Sequence, residues 1–245
     1  MCGYVRRHIG SQSLKEFMEL LGPTDYNPHP GEAMGELQHF YPAFGRDPGR
    51  KIKDLVIQEG GMIKGVEATW WYDCTFNNGQ LEVGHLTSFN ARHLSLPLWR
   101  EAIRYRRGFV VASGLGESRE IGKRKHQYLV TSNRPLIIGA IYNAFPENLY
   151  SCAIITRDPH PRFTEFHEDA FPLLLPNNME FLKLWLSDAD EEHPDIARVL
   201  NATKIYADLQ VVEVKSFKSG VPMGPVQRVA ADCPLSGPSR LPIEP

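Results

Sequence analysis

The chain has 245 residues, 42% apolar and 23% charged, with 27 Lys and Arg against 29 Asp and Glu for a formal net charge of -2. That length can bury a sizeable core as one large domain or two small ones. The charge excludes a globally basic nucleic-acid binder but leaves room for a local basic face, because phosphate binding depends on where the cations sit. No apolar run approaches the ~18 residues of a membrane-spanning helix. Met1 to Gly10 is polar and basic, without the apolar stretch of a secretory signal, so a cytoplasmic protein is expected. Cys2, Cys74, Cys152 and Cys233 are widely and irregularly spaced, with no C-x-x-C pair. Neither a structural zinc site nor a disulfide framework is expected from that spacing.

Residues 11–22 read as a first helix, capped by Ser11 or Ser13, with Leu14, Phe17, Leu20 and Leu21 on one face and Gly22-Pro23 as its stop. Residues 23–50, rich in Pro, Gly and His, read as a long irregular loop. Strands are expected at 51–58 and 62–72 around Gly60-Gly61, and Asn78-Gly79 marks a turn. Residues 97–107 read as a basic helix ended by Gly108. Short β-branched or aromatic runs then predict strands near 109–113, 126–131, 135–143 and 150–156. Helices follow at 178–187 and 194–201, then a last strand at 208–215. Strands outnumber helices without alternating with them. The pattern predicts a single α+β domain over 1–229, with a largely antiparallel, barrel-like sheet flanked by a few helices. A Pro-rich tail without regular structure is expected over 230–245.

Four places carry potential chemistry. Cys2 follows the initiator Met, and removal of Met1 would expose a 1,2-aminothiol. Its α-amine, with a pKa near 8, is roughly 10% neutral at pH 7 and can condense with an aldehyde. The thiolate can then close a five-membered thiazolidine. In Ser88-Phe89-Asn90-Ala91-Arg92, Asn90 and Arg92 share a face if the segment is a strand, offering an amide and a phosphate-matched guanidinium. Taken alone they read more readily as a turn residue and a surface cation. Arg100, Arg104 and Arg107 fall at helical spacing as a basic stripe. The strand after them runs into a Gly-rich turn carrying Glu117, where burial would raise a carboxyl pKa toward acid–base duty. In the polar stretch after Thr156, His167 precedes an apolar run and can move protons near neutral pH. His160 and His167 lack a third ligand at metal spacing.

In this order and at these separations the pieces resemble the SOS response-associated peptidase (SRAP) family, over roughly residues 2–187. The family opens M-C-G-R, continues through W-G-L-I-P, N-A-R-x-E-T and a helix-to-strand motif ending L-V-P-A-D-G-F-Y-E-W, and closes on H-x-R-M-P. Met1-Cys2-Gly3 matches the opening, Asn90-Ala91-Arg92 the N-A-R, and Arg106 through Glu117 aligns without a gap to the long motif. The departures are Tyr4 for Arg, Leu94-Ser95 where an acid is expected, Gly116 and Ser118 for the aromatics flanking the glutamate, and His167-Glu168-Asp169-Ala170-Phe171-Pro172 for the histidine signature.

The resemblance implies covalent capture of abasic sites in single-stranded DNA, with lyase and self-processing peptidase activity as companions. It implies Cys2 as nucleophile, Asn90 orienting the sugar or amine, Glu117 as general acid and His167 in proton transfer. Arg92, Arg100, Arg104 and Arg107 would grip phosphates, and Trp70 or Trp71 would stack on a base, with at least one of the two serving the core. It calls for no cofactor, metal, membrane or obligate protein partner. Two alternatives use the same opening. One is a class II glutamine amidotransferase, which also begins Met-Cys-Gly but is echoed downstream only by Ile141-Tyr142-Asn143. The other is a single-stranded DNA-binding module without chemistry.

Overall fold

Gly60 and Gly61 adopt φ of 59° and 78°, the left-handed pair that a two-residue hairpin turn requires. They join β3 (Lys51–Glu59) to β4 (Met62–Thr69). Asn78 and Gly79 do the same between β5 (Cys74–Asn77) and β6 (Gln80–Val83), which form a separate two-stranded ribbon. The structure, a computed structural model, describes residues 3–8, 12–26 and 36–232. Cys2, Ser11 and the Pro-rich tail from Cys233 onward lie outside the described residues.

The other strands belong to one mostly antiparallel 11-stranded sheet. They are β1 (Tyr4–His8), β2 (Leu37–Phe40), β3, β4, β7 (Asn90–Ala91), β8 (Arg107–Ile121), β9 (Arg124–Phe145), β10 (Leu149–Arg157), β11 (Phe171–Pro172), β12 (Leu209–Val214) and β13 (Gln227–Val229). The pairings β9–β10–β4–β3–β8–β9 return to their start, so five strands close a hydrogen-bonded ring. Four helices flank it: α1 (Gln12–Leu21), α2 (Pro97–Tyr105), α3 (Met179–Leu186) and α4 (Pro194–Asn201). The expected single α+β domain is what forms.

Two strands expected at 126–131 and 135–143 are one. β9 crosses Pro135 because its register against β8 slips there, from Ala112↔Leu136 to Gly114↔Thr131. A proline at such an irregularity costs no ladder hydrogen bond. The slip bends β9, so Ala140 to Phe145 pair with β10 while Gln127 to Ser132 pair with β12. β8 is likewise longer than expected. Glu117, assigned to a Gly-rich turn, lies inside this strand opposite Tyr128. The glycines misled because Gly114 and Gly116 serve close packing: a Cβ on Gly116 would sit 2.7 Å from the Phe217 ring and 2.8 Å from the Tyr4 ring. On α1, Met18 is buried with Leu14, Phe17 and Leu21, whereas Leu20 is exposed. The loop expected over 23–50 contains β2, whose register with β1 places Phe40 against Val5.

Candidate active site

Glu117 is held between two neighbours. On one side β9 sets Tyr128 opposite it. On the other, β1 runs antiparallel to β8 with Tyr4 opposite Gly116, which brings Gly3, at the entry to β1, alongside Glu117. Alternation along β8 turns Glu117 with Leu115 toward the main core and Gly116 to the opposite face. Glu117 is only 1% exposed, and burial pushes its pKa up to about 7, with the positive charge of the chain's amino terminus pulling the other way. An acid of that strength can give up a proton at neutral pH, which a solvated glutamate cannot.

His167 approaches the same carboxyl from the segment after β10. Its Nδ1 lies 2.8 Å from the Ser118 carbonyl and 3.9 Å from Glu117 Oε2. A carbonyl only accepts, so Nδ1 carries the proton and Nε2 is the basic nitrogen. Burial lowers the His167 pKa, which keeps the ring neutral. Two interactions fix this segment. Phe166 packs edge-on against Tyr128 at 5.3 Å. Arg119 donates to the Glu165 carbonyl and the Glu168 carboxylate, both at 3.0 Å. The sequence carried no motif for Arg119, but on β8 it follows Glu117 by two residues and so takes the same face.

Asn90 is set by backbone contacts on β7, which pairs in parallel with β10 at Ile154. The preceding Phe89 carbonyl accepts from Ile154 N at 3.0 Å and from the Trp70 indole at 2.9 Å. This corrects the role expected of Trp70. It is fully buried and its N–H is committed to Phe89, so it presents no face to a base. Trp71 is almost as buried, stacked on Phe89 at 5.7 Å and met edge-on by Phe44. Phe44, 47% exposed, is the aromatic that reaches solvent there.

The arginines divide. Arg92 and Arg100 line a cavity of about 500 Å³ with His93, Arg157, Asp158 and Glu191. Its three guanidiniums outnumber its two carboxylates, and Arg92 already pairs with the exposed Asp158 at 3.3 Å. Arg104 is exposed but engages Glu191 at 3.6 Å and Asp190 at 4.0 Å. Arg107 is a correction. The helix ends at Tyr105, and Arg107 opens β8 as a residue only 3% exposed. Its guanidinium donates to the carbonyls of Ile103, Arg104, Trp185, Ser187 and Ala189, and so closes the C-terminal ends of α2 and α3. It cannot take part in a surface stripe. His160, weighed for a metal, bonds Asp232 at 3.1 Å and accepts from Arg162 N. Among the described residues no group of three or more His, Cys, Asp and Glu is placed to hold a metal ion, and no helix is long and apolar enough to cross a membrane.

A family model described as SOS response associated peptidase (SRAP) matches residues 1–217. The chain belongs to the SRAP family. No match was found among curated proteins. Solved structures share the fold. A Bacteroides thetaiotaomicron protein is 17% identical, with a TM-score of 0.59 over 90% of this chain and 97% of its own. A Bordetella bronchiseptica protein is 13% identical, with a TM-score of 0.59 over 88% and 100%. A phage-related protein from the same organism is 18% identical, with a TM-score of 0.57 over 90% and 100%. Membership makes this a SRAP-type protein of a DNA-damage-associated family. Within it, two departures from the SRAP pattern, Tyr4 and Gly116, face each other across β1 and β8.

Proposed function

We propose that this SRAP protein captures abasic sites in single-stranded DNA by covalent attachment through Cys2. The observation that carries this reading is Glu117: a buried acid with its pKa pushed up to about 7, beside the strand that begins two residues after Cys2. An abasic deoxyribose is mostly a closed hemiacetal. Glu117 gives a proton to the ring oxygen as the anomeric hydroxyl loses one, and C1′ becomes an aldehyde. The Cys2 amine adds to C1′, and loss of one water leaves an imine. The thiolate then adds to the imine carbon and the nitrogen takes a proton, closing the thiazolidine. The balance is one water lost per link.

His167, neutral and with Nε2 as its basic nitrogen, relays protons between these steps. An imine that escapes the thiol is open to β-elimination, the lyase outcome, and the peptidase name of the family suits removal of Met1. Arg92 and Arg100 hold phosphates, and Asn90 orients the sugar. A single strand is the natural ligand because a duplex stacks its bases over the aldehyde.

The test starts from protein shown by mass spectrometry to lack Met1. It is incubated with a single-stranded oligonucleotide holding one abasic site and run on a denaturing gel beside Cys2→Ala. A retarded band with wild type alone is expected. No band from a free N-terminal Cys would overturn the proposal. Native-gel binding would then identify a non-covalent DNA module, and glutaminase activity an amidotransferase.

A further inference from the structure

The face of β1 and β8 turned away from Glu117 carries a small second core. Tyr4, Leu129 and Val214 are its buried members, and Tyr41, Val212 and Phe217 pack against them. Phe217 comes from the connection after β12, yet it reaches across to the first strand. Its ring stacks on Tyr4 at 4.8 Å and 14°. The Tyr4 hydroxyl donates to the Phe217 carbonyl at 3.2 Å and lies 2.6 Å from His39 Nδ1. Phe217 N donates to Gln127 Oε1 at 3.1 Å, and Gln127 pairs with Ser118, the residue after Glu117. Gly116 completes the unit. It has no side chain, and the space where one would stand is taken by the Phe217 and Tyr4 rings.

β1 pairs with β2 over Val5 to His8 and with β8 over Tyr4 to Arg6, so Tyr4, at its start, lies beyond the described β2 register. The end of the strand that approaches Glu117 is therefore held from the β8 side, where the Phe217 ring adds to the pairing. We infer that Phe217 is a positioning residue for the N-terminal strand: with Tyr4 and Gly116 it forms an aromatic clamp that locks the start of β1 in register beside Glu117. The clamp acts from behind the sheet and does not touch the reacting atoms. Tyr4 and Gly116 are therefore one compensated exchange, in which an absent side chain on β8 makes room for an aromatic donated from about 100 residues downstream. This role rests on the function proposed above for what the clamp serves, but not for the clamp itself.

Two readouts separate the two. Hydrogen exchange followed by mass spectrometry reports on the peptide covering Tyr4 to His8 whether or not the protein crosslinks DNA. Phe217→Ala is expected to speed exchange in that peptide, while Phe217→Tyr, which keeps the stack, restores wild-type protection. In the crosslinking assay Phe217→Ala is expected to slow the rate at saturating abasic oligonucleotide by about 10-fold or more, since misplacement of about 1 Å can cost that much. Affinity for the same oligonucleotide without an abasic site stays unchanged, and Phe217→Tyr recovers the rate. Wild-type protection in Phe217→Ala would overturn the clamp. Faster exchange with no crosslinking by wild type would uphold the clamp and overturn only the proposed chemistry. A parallel loss of affinity for intact strand would make Phe217 a DNA-surface residue and overturn the positioning role.

Discussion

Replacing Glu117 by Gln keeps the shape of the side chain and removes its titration. In wild type the carboxyl pKa rises from 4.5 to about 7 on folding, and burial is the main cause. Between those values the folded protein holds a proton that the unfolded chain has released. Stability therefore falls as pH rises through this window, and the deficit is complete above pH 7. At about 1.4 kcal/mol per pKa unit the whole deficit is about 3 kcal/mol, most of it appearing between pH 5 and 8. His167 works in the opposite direction. Its lowered pKa means that stability is lost as pH falls below its ordinary value of 6.5; both proteins carry it, so the comparison reads the change at Glu117 together with its effect on the ring 3.9 Å away.

The assay is thermal unfolding of wild type and Glu117→Gln across pH 5 to 8. The gap is expected to move in favour of the variant as pH rises, by roughly 5–10 °C for a chain of this size. The same variant is expected to lose about 10²-fold or more in crosslinking rate, because the general acid is gone. Site strain and catalysis would then trade against each other at one atom. Parallel pH–stability curves for the two proteins would refute the premise that Glu117 takes up a proton on folding.

Arg107→Met leaves five carbonyls at two helix ends without their shared donor and is expected to destabilise by about 3 kcal/mol or more in urea unfolding. Its folded fraction should show an unchanged salt dependence of DNA binding. Arg92→Ala is expected to reverse that pattern, with near-native stability and a log K against log salt slope shallower by about 0.7, the change that follows when one fewer phosphate of a single strand is neutralised. Gly116→Ala places a methyl 2.7 Å from the Phe217 ring and is expected to cost about 1–3 kcal/mol in thermal unfolding. Adding Phe217→Ala should relieve part of that cost, a non-additivity that independent sites would not show.

Much of the architecture was legible in the chain. The Gly60-Gly61 and Asn78-Gly79 turns sit where their left-handed backbone requires them, and α3 and α4 fall within a residue of their expected bounds. Glu117 and His167 could be named from motif order, and the fold brings them within 3.9 Å. What could not be read depends on contacts distant in sequence. Pro135 looked like a strand end because nothing local reveals that β8 slips register opposite it. Arg107 looked like a surface cation because its acceptors are mostly carbonyls about 80 residues downstream. Which of Trp70 and Trp71 belonged to the core could not be told, because the partner of Trp70, the Phe89 carbonyl, is defined only once β7 lies on β10. Gly116 looked like a turn residue for the same reason: its missing side chain is explained by Phe217.

In the proposed reaction both nucleophiles of Cys2 join C1′ of an abasic site. The most direct measurement is the mass of the N-terminal peptide after the protein has reacted with an abasic oligonucleotide, been digested with nuclease and protease, and never been treated with a reductant. The sugar remnant is expected on Cys2 with the loss of one water, stable without reduction and unreactive toward thiol alkylation. A link on any other residue, or one at Cys2 that survives only after borohydride trapping and leaves the thiol free, would contradict the proposed reaction.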